Sequence, residues 1–111
     1  MTLQSKIRKI GEALAQVTPN CAHYYRTFTA VPYLLWAENG EGDSLHTGNH
    51  KTEQVITGTV DYFTQTEYDA NADAIQDTLD ALGVGWVLES VQYEDDTKLI
   101  HYEWSWNCGN I

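Results

Sequence analysis

Basic residues are scarce in this chain. Six lysines and arginines stand against sixteen aspartates and glutamates, a formal charge of −10 over 111 residues. That balance excludes a protein held to nucleic acid through its phosphates, because no basic patch is present to release counterions. Four of the six bases, Lys6, Arg8, Lys9 and Arg26, lie within the first 26 residues, and only Lys51 and Lys98 follow. The chain is basic at its start and acidic beyond. The partners this favours are a basic protein surface, or copies of the same chain meeting basic end to acidic end.

Cysteine is almost absent as well. Cys21 and Cys108 are the only two. They are too few and too far apart for a disulfide framework, so free thiols are expected. The first six residues, Met-Thr-Leu-Gln-Ser-Lys, hold no hydrophobic signal core, so no secretory targeting is expected. No apolar run approaches the roughly 20 residues that span a bilayer, which argues against a membrane partner.

Catalytic and ligating patterns are missing too. Serines are few and none sits in a Gly-x-Ser-x-Gly elbow. Cys21 and His23 would share one strand face, but no orienting acid is evident, so they read as a packed thiol and a surface imidazole. His46 and His50 have helical metal spacing but flank a glycine in a loop, and a zinc site needs roughly four ligands. Glu38, Glu41 and Asp43 fail the spacing of a calcium loop. Gly40-Glu-Gly42 lacks the lysine and the following helix of a phosphate loop. The chain is therefore expected to have no catalytic, cofactor-binding or metal-ligating residues.

What is present is a globular composition: 42% hydrophobic, with four tryptophans and seven tyrosines. Leu3, Ile7, Ile10, Leu14 and Val17 predict an amphipathic helix capped by Thr2 and ended at Thr18-Pro19. His23 to Thr29 and Tyr33 to Glu38 predict strands, and Asn39 to Asn49, with three glycines, a long loop. Glu53 to Thr64 alternates, with Ile56, Gly58, Val60 and Tyr62 on the better buried face. Thr66 is expected to open a second helix with Ala72, Ile75, Leu79 and Leu82 inward, Asp69, Asp73, Asp77 and Asp80 outward, and Gly83 as its end.

Val84 to Glu94 and Thr97 to Asn107 predict a hairpin turning at Asp95-Asp96, with Val91 opposite Ile100 and Val87 opposite Trp104 on the core face. Trp86, Leu88, Leu99, His101 and Glu103 would then share an outer face more apolar than solvent contact requires. The order α-β-β-loop-β-α-β-β predicts a single α+β domain over residues 1–111. Its sheet of about five strands is antiparallel, with two helices packed on one face.

Three segments carry a family resemblance: Leu35-Trp-Ala-Glu-Asn-Gly-Glu-Gly-Asp-Ser-Leu45, Glu53-Gln-Val-Ile-Thr-Gly-Thr-Val-Asp-Tyr-Phe-Thr64 and Val91-Gln-Tyr-Glu-Asp-Asp-Thr-Lys-Leu-Ile-His-Tyr-Glu-Trp104. In them the chain resembles the tail-terminator (tail-completion, head–tail joining) proteins of long-tailed phages and prophages of Gram-positive bacteria. The likeness covers about three-quarters of the chain and is weakest over the first twenty residues. It implies a structural virion protein, not an enzyme, made in the host cytoplasm. Copies of it form a ring, typically a hexamer, that caps the tail tube and joins it to the head connector.

Its partners would be itself, the major tail tube protein and the head-completion protein, with DNA passing through unbound. On that reading Trp86, Leu88, Leu99, His101 and Glu103 are the candidate subunit interface. Glu38, Glu41, Asp43, Leu45 and His46 form the candidate partner-contact loop, and Asp69, Asp73, Asp77 and Asp80 the candidate channel-facing acids. Two other classes fit the residues less closely. An acidic DNA-mimic inhibitor requires carboxylates spread along one surface, and a small enzyme of unrecognised type requires a deep polar pocket with paired titratable groups.

Overall fold

The alternating segment before Thr64 forms the middle strand of a five-stranded sheet. A computed structural model of the chain describes residues 2–42, 46–47, 50–51 and 54–109. In chain order the elements are α1 (Leu3–Leu14), β1 (Cys21–His23), β2 (Tyr33–Glu41), β3 (His46–Thr47), β4 (His50–Lys51), β5 (Ile56–Thr64), α2 (Ala70–Ala81), β6 (Gly85–Glu94) and β7 (Leu99–Cys108). The large sheet runs β1-β2-β5-β7-β6. The class is α+β as expected, but the sheet is mixed, because β1 pairs parallel with β2.

Ile56, Gly58, Val60, Tyr62 and Thr64 are the buried face of β5. Cross-strand register places Leu34 and Trp36 of β2, and Tyr102, Trp104, Trp106 and Cys108 of β7, on that same face. Both helices cover it: Ile7, Ile10 and Leu14 of α1 and Ile75 and Leu79 of α2 join these residues in one core. Two glycines set how closely the layers approach. A Cβ on Gly11 would overlap the Trp36 indole, and one on Gly58 would overlap both the Trp106 indole and the Ala37 carbonyl oxygen.

Several boundaries differ from expectation. α1 is capped by Thr2, whose Oγ1 accepts from Ser5 N at 3.1 Å. It ends at Leu14, before Pro19. The predicted strand from His23 to Thr29 is only Cys21–His23 long. Tyr24 takes a left-handed φ of 73°, which turns the chain out of the sheet. The segment then crosses to the face away from the helices, where the Arg26 guanidinium lies 3.7 Å from the centre of the Tyr33 ring.

β2 runs on to Glu41, because a bulge between Glu38 and Gly40 absorbs one residue without ending the pairing. The expected loop from Asn39 therefore begins later, and Glu38 and Glu41 belong to a strand. β5 likewise starts at Ile56, not Glu53.

α2 is capped by Asp69, not opened at Thr66. Asp69 Oδ1 accepts from Asn71 N at 2.9 Å, and its Oδ2 accepts from Tyr62 Oη and Thr64 Oγ1, each at 2.7 Å. Only a cap at this point lets one carboxylate serve both the helix and β5. At the other end Gly83 has φ 76°; Val84 N donates to Leu79 O and Gly83 N to Asp80 O, the paired closure that a left-handed residue permits.

The hairpin pairs in another register. Its turn spans four residues, with Lys98 at φ 61°, so Glu94 faces Leu99 and Val91 faces Tyr102. A bulge between Leu88 and Ser90 shifts the rest, so that Leu88 faces Trp104 and Trp86 faces Trp106. Trp86 and Leu88 therefore share the helix-covered face, whereas Leu99, His101 and Glu103 lie on the opposite one. The single outer face expected for those five residues does not exist, because the one-residue bulge turns Trp86 and Leu88 to the other side, whereas the longer turn moves the register by two residues and leaves the sides unchanged.

Two outcomes follow. Gly58→Ala lowers stability by about 1–3 kcal/mol through overpacking, seen as a lower midpoint in urea unfolding. Burial, then the Asp69 hydrogen bond, pushes the Tyr62 hydroxyl up to about 12. Burial acts to raise the Asp69 carboxyl, but hydrogen bonds from Tyr62, Thr64 and Asn71 outweigh it and hold it below the usual range. The Tyr62 contribution is complete below its unfolded value near 10 and is lost as pH rises through about 12. The Asp69 contribution is present above its unfolded value and lost as pH falls through the lowered folded one. Stability measured against pH shows both limbs, and Tyr62→Phe flattens the alkaline one.

Candidate functional site

β6 is the last strand of the sheet, and among the described residues its outer edge pairs with nothing. Its side chains are open on both faces: Val87 is 56% exposed, Leu88 41%, Val91 49% and Tyr93 58%. α2 reaches only the start of the strand, where Trp86 Nε1 donates to Asp80 Oδ1 at 2.8 Å. Beyond that point a cavity of about 320 Å³ separates the helix from the hairpin, walled by Tyr68, Leu88, Tyr102 and Trp104 with Asp73 at its rim. Tyr68 is 91% exposed and held outward by a left-handed φ of 57°.

Charge is uneven between the two ends of the sheet, the β1–β2 end holding Glu12, Glu38 and Glu41 beside its bases. α2 carries Asp73, Asp77 and Asp80 beside β6, and the hairpin adds Glu89, Glu94, Asp95 and Asp96. α1 lies at the other end, against Trp36, with Arg8 beside His23 of β1. Lys6 is buried there and donates from Nζ to the Gln54 carbonyl at 3.0 Å, so Arg8 and Lys9 are the outward bases of that helix.

The predicted site residues are only partly brought together. Of the five interface candidates, Trp86 and Leu88 lie at the β6 edge. Leu99 is 5% exposed, and His101 is held on the other face by Asp61 at 2.7 Å and Glu94 at 3.4 Å. Glu103 faces Ser90, whose Oγ donates to its Oε1 at 3.5 Å. Of the loop candidates, Glu38 and Glu41 are strand residues, the His46 backbone is in β3, and Asp43 and Leu45 lie outside the described residues. Of the four acids, Asp69 is a helix cap and Asp80 holds Trp86, which leaves Asp73 and Asp77 as the open pair.

One cluster is not visible in the sequence. His23 stacks between Trp36, with ring centres 3.9 Å apart, and Tyr24, at 4.0 Å. Its Nε2 donates to Glu38 Oε1 at 2.5 Å, and Tyr24 Oη donates to Glu38 Oε2. The orienting acid that His23 seemed to lack is fifteen residues away in the chain. Parallel pairing of β1 with β2 brings it near, and no local pattern announces that pairing. On the face away from the helices Arg26, Tyr33, Phe63 and His101 form a continuous stack across β2, β5 and β7. Cys21 and Cys108 are free thiols; burial pushes Cys21 up to about 11 and raises Cys108, so both stay protonated at neutral pH.

No helix among the described residues is long and apolar enough to cross a membrane. No cluster of three or more histidine, cysteine or acidic side chains able to hold a metal occurs among them. No protein-family model matches this chain, and no curated protein matches it either.

Burial acts to raise the Glu38 carboxyl, but the hydrogen bonds from Tyr24 and His23 outweigh it and hold it below the usual range. The stability this contributes is present above the unfolded carboxyl value and lost as pH falls through the folded one. Tyr24→Phe removes one donor, so the Glu38 titration, followed by carbon NMR of its carboxyl, moves up. An unchanged midpoint would show that the Tyr24 contact is not made in solution.

Proposed function

We propose that this chain is a structural protein of a long-tailed phage particle. Copies assemble into a ring, a hexamer in the resembling family, that caps the tail tube and joins it to the head connector. The observation that carries the reading is the unpaired β6 edge with apolar side chains open on both faces. A long exposed edge strand is a liability unless a partner covers it.

The opposite end of the sheet presents the outward bases of α1, while the β6 end is acidic. Unlike ends favour head-to-tail contact, which closes into a ring or continues as a filament. Burial of Leu88, Val91 and Tyr93 would favour association by about 1–3 kcal/mol each, against the mutual repulsion of chains carrying −10. Asp77 would remain to face passing DNA without retaining it. The DNA-mimic alternative is less well supported, because Asp69 and Asp80 are committed within the fold and the remaining acids do not form one long surface.

Native mass spectrometry and sedimentation of the purified protein should show a closed ring, alone or on isolated tail tubes. Val91→Lys, at an exposed position, should leave the melting temperature unchanged and the protein monomeric. A phage lacking this chain should give tails of irregular length that fail to join heads. Normal particles without it would overturn the proposal.

A further inference from the structure

The cavity between α2 and the hairpin has the chemistry of a cation socket. Its walls include the rings of Tyr68 and Tyr102, and Asp73 stands at its rim. Tyr102 stacks on Trp104, with ring centres 5.8 Å apart and planes 11° from parallel, so that wall is rigid. Asp73 has no hydrogen-bond or ion-pair partner among the described residues, whereas its neighbours Asp69 and Asp80 are both engaged. Aromatic faces beside an unpaired carboxylate select a planar cation, which stacks and bonds at once.

The chain holds one matching group. Of its two arginines, Arg26 is already seated over Tyr33. Arg8 is exposed and has no partner among the described residues. Arg8 lies on the β1 side of α1, beside Gly11, His23 and Trp36, and the socket opens on the β6 side of α2. The two stand at opposite ends of the same sheet, so Arg8 of one copy is placed to meet the socket of the next.

We propose that the occupant of this socket is the Arg8 side chain of a second copy of this chain, its guanidinium between the Tyr68 and Tyr102 rings and bonded to Asp73. The inference rests on the head-to-tail ring proposed above and names the contact that sets its direction. The geometry is heterologous: each copy gives one arginine and receives another. Glu12, one helical turn after Arg8 and likewise on the His23–Trp36 side of α1, would stand at the margin of the contact.

Association of the full chain, measured by sedimentation with melting temperature as the folding control, tests this. Arg8→Asp and Asp73→Arg should each weaken assembly by about tenfold or more, and the double variant should recover most of it. Tyr68→Ala changes no charge at a residue that packs little, and should also weaken assembly. Arg8→Lys, which keeps the charge but not the plane, should fall between parent and Arg8→Asp. If the parent forms rings and the single variants match it, the socket is wrong and the ring reading stands. If the parent stays monomeric at all concentrations and on tail tubes, both fall.

Discussion

The architecture depends on helices covering the sheet on one face only. Trp36 lies against Gly11 of α1, and Trp106 lies across Gly58 of β5, at distances a single added carbon would violate. These contacts fix the depth of both layers. They also spend the apolar surface of the helices on β2, β5 and β7, while α2 meets the start of β6 where Asp80 accepts from Trp86. An edge strand with four exposed apolar side chains is the consequence.

The other face is held by a different device. With no helix there, Arg26, Tyr33, Phe63 and His101 stack in sequence across three strands. Asp61 and Glu94 flank the imidazole at its end, and Leu99 is buried on that side of the hairpin. Tyr33 is covered by Arg26 and Phe63, and Phe63 by Tyr33 and His101, so the inner members of the stack are held on two sides. The segment after Tyr24 is thereby anchored without secondary structure of its own.

Charge follows the same division. Bases sit on the first helix and acids on the second, and because the helices lie side by side the sequence asymmetry becomes a spatial one. A chain with such unlike ends is suited to repeat in one direction. Its net charge of −10 opposes contact between copies.

Periodicity by itself determined the two helices, the alternating face of β5, the left-handed end at Gly83 and the α+β class, because each is a local pattern matched to a local geometry. The division of charge was equally plain in the order of residues. Tertiary structure alone decided the rest. Asp69 became a cap instead of a solvated acid because Tyr62 and Thr64 approach it from β5. Glu38 found His23 only through a parallel pairing that no short-range signal marks. Trp86 and Leu88 came to the helix side, away from Leu99, because one bulge between Leu88 and Ser90 shifts the strand by a single residue. Alternation shows that a strand has two faces. Which face is inward depends on where the neighbouring strand begins, and that is settled only when the whole sheet packs.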